Sequence, residues 1–341
     1  MRVVFMGTPD FAATILQEIS IQHTVVAAYT RPDAVRGRGN ELVASPVKKC
    51  AEELGIPVYC PTSFKSEEEL VRLRSLQPDV LIVAAYGALL PAKVTSIARY
   101  GAINAHASLL PRWRGAAPVE RAILAGDKQV GVCAMRVDEK LDAGPYCVSR
   151  SISVEHRSAS DLLDELANVG AEALLNALAQ LEAGRVFWVE QNQQEVTYAK
   201  KIEKGELDIS LEDSALVADR KIRASSDAHA CRVEIAGKQV TLLSGQAYLL
   251  ETAGNSDSKP ALNDVYPSLS SLPEPLQEAL VGLETGSVAF VQKRLFLGTK
   301  EGVLEVFTLK PAGKKEMDAK SFAAGIQNIK KEPTYWRSCG N

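Results

Sequence analysis

The chain has 341 residues, 46% hydrophobic and 24% charged, with a formal net charge of −3. That length accommodates two domains with separate cores, and the balance is that of an ordinary globular protein rather than a disordered or uniformly basic one. No apolar run reaches the roughly 20 residues a helix needs to cross a bilayer. Met1-Arg2 leads straight into Val3-Val4-Phe5-Met6 without the segment and cleavage site of a signal peptide, so a cytoplasmic protein with no membrane association is expected.

In chain order, Val3–Met6, Val25–Tyr29 and Val80–Ala85 read as buried strands, and Phe11–Ile19 and Pro46–Leu54 as helices. This alternation predicts an α/β domain with a Rossmann-like, mostly parallel sheet. Thr8-Pro9-Asp10 offers an N-cap, a proline at the first helical position and an acidic first turn. Gly7 alone lacks the glycine spacing of a phosphate loop. Asp161–Leu181 carries apolar residues at helical spacing and is expected to close the first domain. Gly184 and the polar stretch Glu190–Glu195 then read as an exit into a linker. The expected division is 1–189, a linker 190–205, a second domain 206–331 and a tail 332–341.

Short strands follow at Arg232–Ile235, Gln239–Leu243, Ser287–Val291, Arg294–Gly298 and Val303–Leu309, with turn residues such as Ala236-Gly237-Lys238 between some of them. They predict a smaller OB-fold-like β-barrel. Glu251–Pro275, rich in Ser, Pro, Asn and Asp, reads as a long surface loop. There is no internal repeat. Cys50, Cys60, Cys133, Cys147, Cys231 and Cys339 are scattered, with neither a C-x-x-C pair nor a neighbouring His at ligand spacing. Buried free thiols and no metal site are expected.

The chemistry is concentrated in Asn104-Ala105-His106 and Leu141-Asp142-Ala143-Gly144. If the apolar run before Asn104 is a strand, Asn104 and His106 project to the same side. A carboxylate at Asp142 could set the tautomer and charge of His106. Acyl transfer to an amine needs donors for an oxyanion and a route for the amine's proton, and these residues offer both. An isolated Asn-x-His would be read as a strand-end turn and a satisfied core histidine. Here Ser108-Leu109-Leu110-Pro111 and Arg112-Trp113-Arg114-Gly115 follow, with proline forcing an extended backbone at Leu110, which marks a shaped loop.

With these residues the sequence resembles the methionyl-tRNA formyltransferase family, within the larger group that transfers formyl groups from 10-formyltetrahydrofolate. The resemblance rests on Gly7–Ala12, Ser45–Lys48, Ala85-Tyr86-Gly87 with Leu90-Pro91, Asn104–Pro118, Leu141–Gly144, Thr197–Lys200 and Lys310–Lys315, and so covers both domains. It implies that Asn104, His106 and Asp142 are catalytic. It also implies that the folate co-substrate lies against Ser108, Leu109, Leu110 and Pro111, with Tyr86, Gly87 and Leu89 of the 83–91 segment and the 136–142 loop lining its pterin pocket. No metal is implied, and a monomer is the default for the architecture.

The glycine-punctuated basic segment Arg31–Asn40 would otherwise read as a solvated surface loop. The resemblance makes it the insertion that distinguishes methionyl initiator tRNA, with Arg36 and Arg38 as contacts. Two departures stand out: Asn40-Glu41 replace the lysines common in the family, and Ile222–His229 lacks its proline- and tryptophan-containing turn. Lys200, Lys201, Lys314 and Lys315 are the further tRNA candidates, as basic groups suited to backbone contact. Rival readings are a folate-dependent formyltransferase for an aminosugar nucleotide or glycinamide ribonucleotide, and a tRNA-binding protein that has lost its chemistry. Against them stand the Arg31–Asn40 segment and the intact Asn104, His106 and Asp142.

Overall fold

The first strand, β1 (Arg2–Gly7), is buried from Val3 to Gly7 on both faces, as a strand must be when helices cover both sides of a parallel sheet. The computed structural model describes residues 1–35, 42–250, 266–329 and 331–339. It forms two compact units, Met1–Val119 with Lys128–Ser153 and Asp161–Lys200, and Glu120–Asp127 with Val154–Ser160 and Lys201–Asn341.

In the first unit β1 is followed by α1 (Asp10–Gln22), β2 (Thr24–Tyr29), the short pair β3 (Ala34–Val35) and β4 (Leu42–Val43), α2 (Pro46–Glu53) and β5 (Val58–Tyr59). Next come α3 (Glu67–Ser75), β6 (Val80–Ala84), α4 (Ala92–Thr95), β7 (Ala102–His106), β8 (Arg114–Gly115) and α5 (Pro118–Ala125), the last belonging from Glu120 onward to the second unit. The chain continues through β9 (Gln129–Arg136), β10 (Tyr146–Ser153), α6 (Ala159–Glu182) and β11 (Tyr198–Ala199). The main sheet runs β10-β9-β7-β6-β1-β2-β5. Strands β5, β2, β1, β6 and β7 are parallel, and β9 and β10 complete one edge antiparallel. The chain therefore winds first to one side of β1 and then to the other. The crevice beyond the carboxyl ends of β1 and β6 is where such sheets bind ligands.

Three local expectations are corrected. Pro9, not Thr8, occupies the N-cap of α1, and no side chain caps it; the Thr8 hydroxyl donates instead to the Tyr86 carbonyl at 3.0 Å, tying the loops after β1 and β6 together. Ala85 leaves the strand, at φ 43°. Of the six free cysteines only Cys133 and Cys231 are buried, the other four being half-buried.

The second unit contains α7 (Ala215–Arg223) and strands β12 (Cys231–Ile235), β13 (Lys238–Tyr248), β14 (Ser287–Val291), β15 (Arg294–Gly298), β16 (Val303–Pro311), β17 (Met317–Asp318) and β18 (Thr334–Arg337). Six of them close a ring of antiparallel pairs, β13-β12-β18-β14-β15-β16 and back to β13, with β17 appended to β16. Closure leaves no free edge within the ring. It relies on register shifts at Ser244 and Gly245, where a Cβ on Gly245 would lie 2.6 Å from the Glu305 carbonyl oxygen. Val233, Leu242, Leu297, Leu304 and Trp336 are among the residues that fill the interior.

Part of the expected surface loop Glu251–Pro275 lies outside the described residues. The remainder is not loose: Tyr266, Leu269 and Leu272 are buried, and the segment leads into helix Glu274–Leu280. Three apolar anchors among many polar residues suffice to pin it, and a composition average conceals them. No helix of the described residues is long and apolar enough to cross a membrane.

Candidate functional site

Strand β7 lies between β6 and β9, with Asn104 in register with Val83 on one side and Met135 on the other. As alternate positions of the strand, Asn104 and His106 share one face with Ala102, at the carboxyl end of the strand. Asn104 is half-buried, and its side-chain amide forms no hydrogen bond to the described residues. His106 is only 6% exposed. Its Nε2 donates to the Trp113 carbonyl at 3.0 Å. Because a carbonyl can only accept, Nε2 must carry a hydrogen. Nδ1 faces Asp142 Oδ2 at 3.7 Å, close enough for ionic attraction to an imidazolium but too long for a direct hydrogen bond. The same Oδ2 accepts from the Gly115 backbone N–H at 2.9 Å.

Both partners of His106 are carried by residues with left-handed backbones, Trp113 at φ 62° and Asp142 at φ 49°. For an L side chain that conformation costs about 1–2 kcal/mol per residue, so each must be held. Strand β11 does this for the first: it pairs with β8 through Arg114 opposite Tyr198 and Gly115 opposite Ala199. Thr197 Oγ1 accepts from the Trp113 N–H at 2.9 Å and the Thr197 carbonyl from the Arg114 N–H at 2.9 Å. Gly115, at φ 124°, must be glycine, since a Cβ there would sit 2.7 Å from the Ala199 carbonyl oxygen. For the second, Gln191 Nε2 donates to the carbonyls of Asp142 at 2.9 Å and Gly144 at 2.7 Å, while its Oε1 accepts from Arg114 Nε at 2.9 Å. Gln191 and Arg114 are both buried. Sequence reasoning missed Gln191 and gave Thr197 and Arg114, which stand in the motifs that carry the resemblance, no role; a polar stretch before a basic one carries no sign that one glutamine turns inward.

The loop after β7 spends its polar groups locally. Ser108 Oγ donates to the Arg112 carbonyl at 2.8 Å. Leu109 packs over Gly131, where a Cβ would come within 2.4 Å of its Cδ2. Leu110 packs with Cys133 and Met135 and is joined to Pro111 by a cis peptide bond. At the end of β6, Tyr86 is buried near Phe64, and burial pushes its phenol up to about 12. Gly87, at φ 80°, turns the chain, and Leu89 is 80% exposed.

The structure thus brings Asn104, His106 and Asp142 together at the carboxyl end of β7, with Ser108–Pro111 directly after them and the 86–89 turn at the end of the neighbouring strand. Arg36 and Arg38 lie outside the described residues. The stem below them is described: Ala34 pairs with Val43 and Val35 with Leu42, and Lys48 Nζ bonds Asp33 Oδ2 at 2.8 Å. Lys200, Lys201, Lys314 and Lys315 are exposed.

Residues 1–178 match the formyl transferase family and residues 201–327 the formyl transferase C-terminal domain. Over 324 residues the chain is 39% identical to a methionyl-tRNA formyltransferase of Methylococcus capsulatus, a match covering 94% of this chain and 96% of that protein. The chain belongs to the methionyl-tRNA formyltransferase family. Its fold is shared more widely. HypX from Aquifex aeolicus, solved in complex with tetrahydrofolic acid, is similar with a TM-score of 0.60 at 17% identity, over 97% of this chain and 48% of HypX. The sugar 3N-formyl transferase WlaRD, solved in the presence of dTDP and 5-N-formyl-THF, gives 0.60 at 11% identity, over 92% of this chain and 99% of its own. In this family the reaction is formyl transfer, and the site offers it an amide with unspent donors and an imidazole whose Nδ1 faces a carboxylate.

Proposed function

We propose that this protein transfers the formyl group of 10-formyltetrahydrofolate to the α-amino group of methionyl initiator tRNA, acting as a monomer in the cytoplasm. The observation that carries the reading is the site at the end of β7: His106 is held through Nε2, leaving Nδ1 beside Asp142, with the unspent amide of Asn104 two residues earlier on the same strand face. In this reading the first unit is the catalytic domain, with Gln191 and β11 of the expected linker 190–205 folded into it, and the second is a tRNA-binding barrel whose ring includes β18 of the expected tail 332–341.

The folate supplies an already activated formyl amide when bound, so the protein's task is orientation and charge stabilisation. The crevice suits such a ligand: Leu89 and the half-buried Leu109 offer apolar surface, and the 86–89 turn opens beside the sheet's switch point. As the amine attacks the formyl carbon, the carbonyl electron pair moves onto oxygen; when that pair returns, the bond from carbon to the folate nitrogen breaks, and tetrahydrofolate leaves with a proton on that nitrogen while the amine gives one up. Asn104 Nδ2 and protonated His106 Nδ1 are the donors available to that oxyanion. Asp142, fixed by Gly115, lies beside His106 Nδ1 and, directly or through water, gives the amine's proton a path away. Ser108–Pro111, Tyr86, Gly87 and Leu89 hold the folate. Arg36, Arg38, Lys200, Lys201, Lys314 and Lys315 contact the tRNA, where phosphate contacts position the substrate.

A turnover assay with 10-formyltetrahydrofolate and three acceptors tests this: methionyl initiator tRNA, methionyl elongator tRNA and glycinamide ribonucleotide. Formylation of the first alone is expected. Formylation of the ribonucleotide, or tRNA binding with no transfer, overturns the proposal.

A further inference from the structure

We propose that Gln191 and Thr197 are positioning residues that act through His106, fixing the two strained backbone segments that carry its partners. The inference rests on the proposed role of His106 in formyl transfer. It starts from the two left-handed residues, Trp113 and Asp142. Each presents one group to the imidazole, a carbonyl to Nε2 and a carboxylate oxygen to Nδ1. Neither would keep its conformation unaided.

The Thr197 contacts explain how Trp113 is aimed. A trans peptide unit is a rigid plane in which C=O and N–H point in opposite directions. The Trp113 carbonyl shares its plane with the Arg114 N–H, which is bonded to the Thr197 carbonyl. The carbonyl oxygen therefore points away from Thr197 and toward His106. The preceding plane is held as well, because the Trp113 N–H donates to Thr197 Oγ1. One residue thus fixes both peptide planes that flank the Trp113 Cα.

Gln191 does the corresponding work on the other side. Its Nε2 bonds the Asp142 and Gly144 carbonyls, clamping the turn that sets the Asp142 carboxylate on the Gly115 N–H. Its Oε1 takes Arg114 Nε, and Arg114 lies between Trp113 and Gly115. Donor and acceptor ends of one amide thereby link the two segments that meet at His106. The clamp is buried, so water cannot replace its bonds without cost. It touches neither reacting group, and its effect on the reaction is the placement of the imidazole.

Substitutions separate this role from plain stabilisation. Thr197→Val keeps shape and loses the hydroxyl, whereas Thr197→Ser keeps the hydroxyl. Gln191→Glu keeps the acceptor for Arg114 and loses both donors. Misplacing a reacting group by an ångström can cost about a hundredfold, so Thr197→Val and Gln191→Glu are expected to lower kcat by about tenfold to a hundredfold. KM for folate and for methionyl-tRNA should stay within about twofold, and Thr197→Ser should restore kcat. Because the effect passes through His106, adding Thr197→Val to His106→Ala should slow the enzyme no further. Thermal melts accompany each variant; if Thr197→Val does not fold, Gln191→Asn, which keeps the amide but shortens its reach, reads the same clamp. Wild-type kcat in these variants, an undiminished extra loss in the His106→Ala background, or a change confined to KM overturns the proposal. A wild-type protein that formylates no methionyl-tRNA would instead sink the functional reading, so the two failures are distinguishable.

Discussion

Each unit of the chain contains a histidine–aspartate pair, and the two are built differently. In the second unit His156 Nε2 donates to Asp219 Oδ1 at 2.8 Å, and Arg223 Nε donates to the other carboxylate oxygen at 2.8 Å. Arg223 goes on to the Tyr266 hydroxyl at 2.5 Å and the Arg157 carbonyl at 3.2 Å. Asp219 is 1% exposed. Burial alone would raise its pKa, but the His156 hydrogen bond and the Arg223 charge together outweigh burial and hold the carboxyl below its ordinary value. In the first unit the His106–Asp142 separation is 3.7 Å, and the amide of Asn104 on the same strand face has no bond to the described residues. A polar cluster that satisfies itself contributes to stability, whereas one left partly open, with strained backbone holding it so, keeps its bonding capacity for a substrate.

The largest effect should come from opening the closed pair. Asp219→Leu leaves Arg223 buried without its carboxylate, which costs about 3–5 kcal/mol of stability; chemical denaturation measures it, and a shift under 1 kcal/mol would break the contrast. The pH dependence has a definite sign. A carboxyl whose folded pKa is depressed adds stability that is fully present above its unfolded value, about 3.9. That contribution is lost as pH falls through the folded value. Acid should therefore weaken the second unit, and Asp219→Asn should remove part of that pH dependence. The open site should answer in the other currency. Asn104→Ala should lower kcat by about 10² to 10³ while leaving the melting curve in place. A loss smaller than about tenfold would remove Asn104 as an oxyanion donor.

The difference between the pairs also shows what could be read from residues alone. The parallel sheet was legible because Val3–Met6, Val25–Tyr29 and Val80–Ala84 are continuous apolar runs, and burial on both faces leaves that trace. The barrel was legible from short apolar strands with turn residues between some of them, although β18 was missed because Thr334–Arg337 shows little alternation. Asn104 and His106 stood out because two chemistry-bearing side chains share a period-two face beside a proline-shaped loop. Their support did not. Gln191 bonds Asp142 across 49 residues of chain, and Thr197 bonds Trp113 across 84. Neither contact follows from local periodicity. The His156–Asp219 pair, spanning 63 residues, escaped for the same reason.

Smaller effects should follow from the residues proposed to choose the acceptor. Arg38→Ala is expected to raise KM for methionyl initiator tRNA roughly tenfold, the loss of about 1.4 kcal/mol of binding, with KM for folate unchanged. Unchanged tRNA kinetics would remove Arg38 from the interface. The smallest change, and the one that sharpens the comparison most, concerns Lys314 and Lys315. They sit in a turn after β16, with the Lys314 N–H on the Pro311 carbonyl at 3.0 Å and Gly313 at φ 74°. Both side chains are exposed, so they offer charge rather than fixed geometry. Their contribution should therefore be counterion release, with each lost phosphate contact reducing the slope of log affinity against log salt by roughly 0.7–0.9. The double variant Lys314→Ala, Lys315→Ala should flatten that slope by about 1.5 and leave kcat at saturating tRNA unchanged. A fall in saturated kcat would mean that the second unit shapes the chemistry as well as the binding, and the division between a closed, supporting unit and an open, reacting one would have to be redrawn.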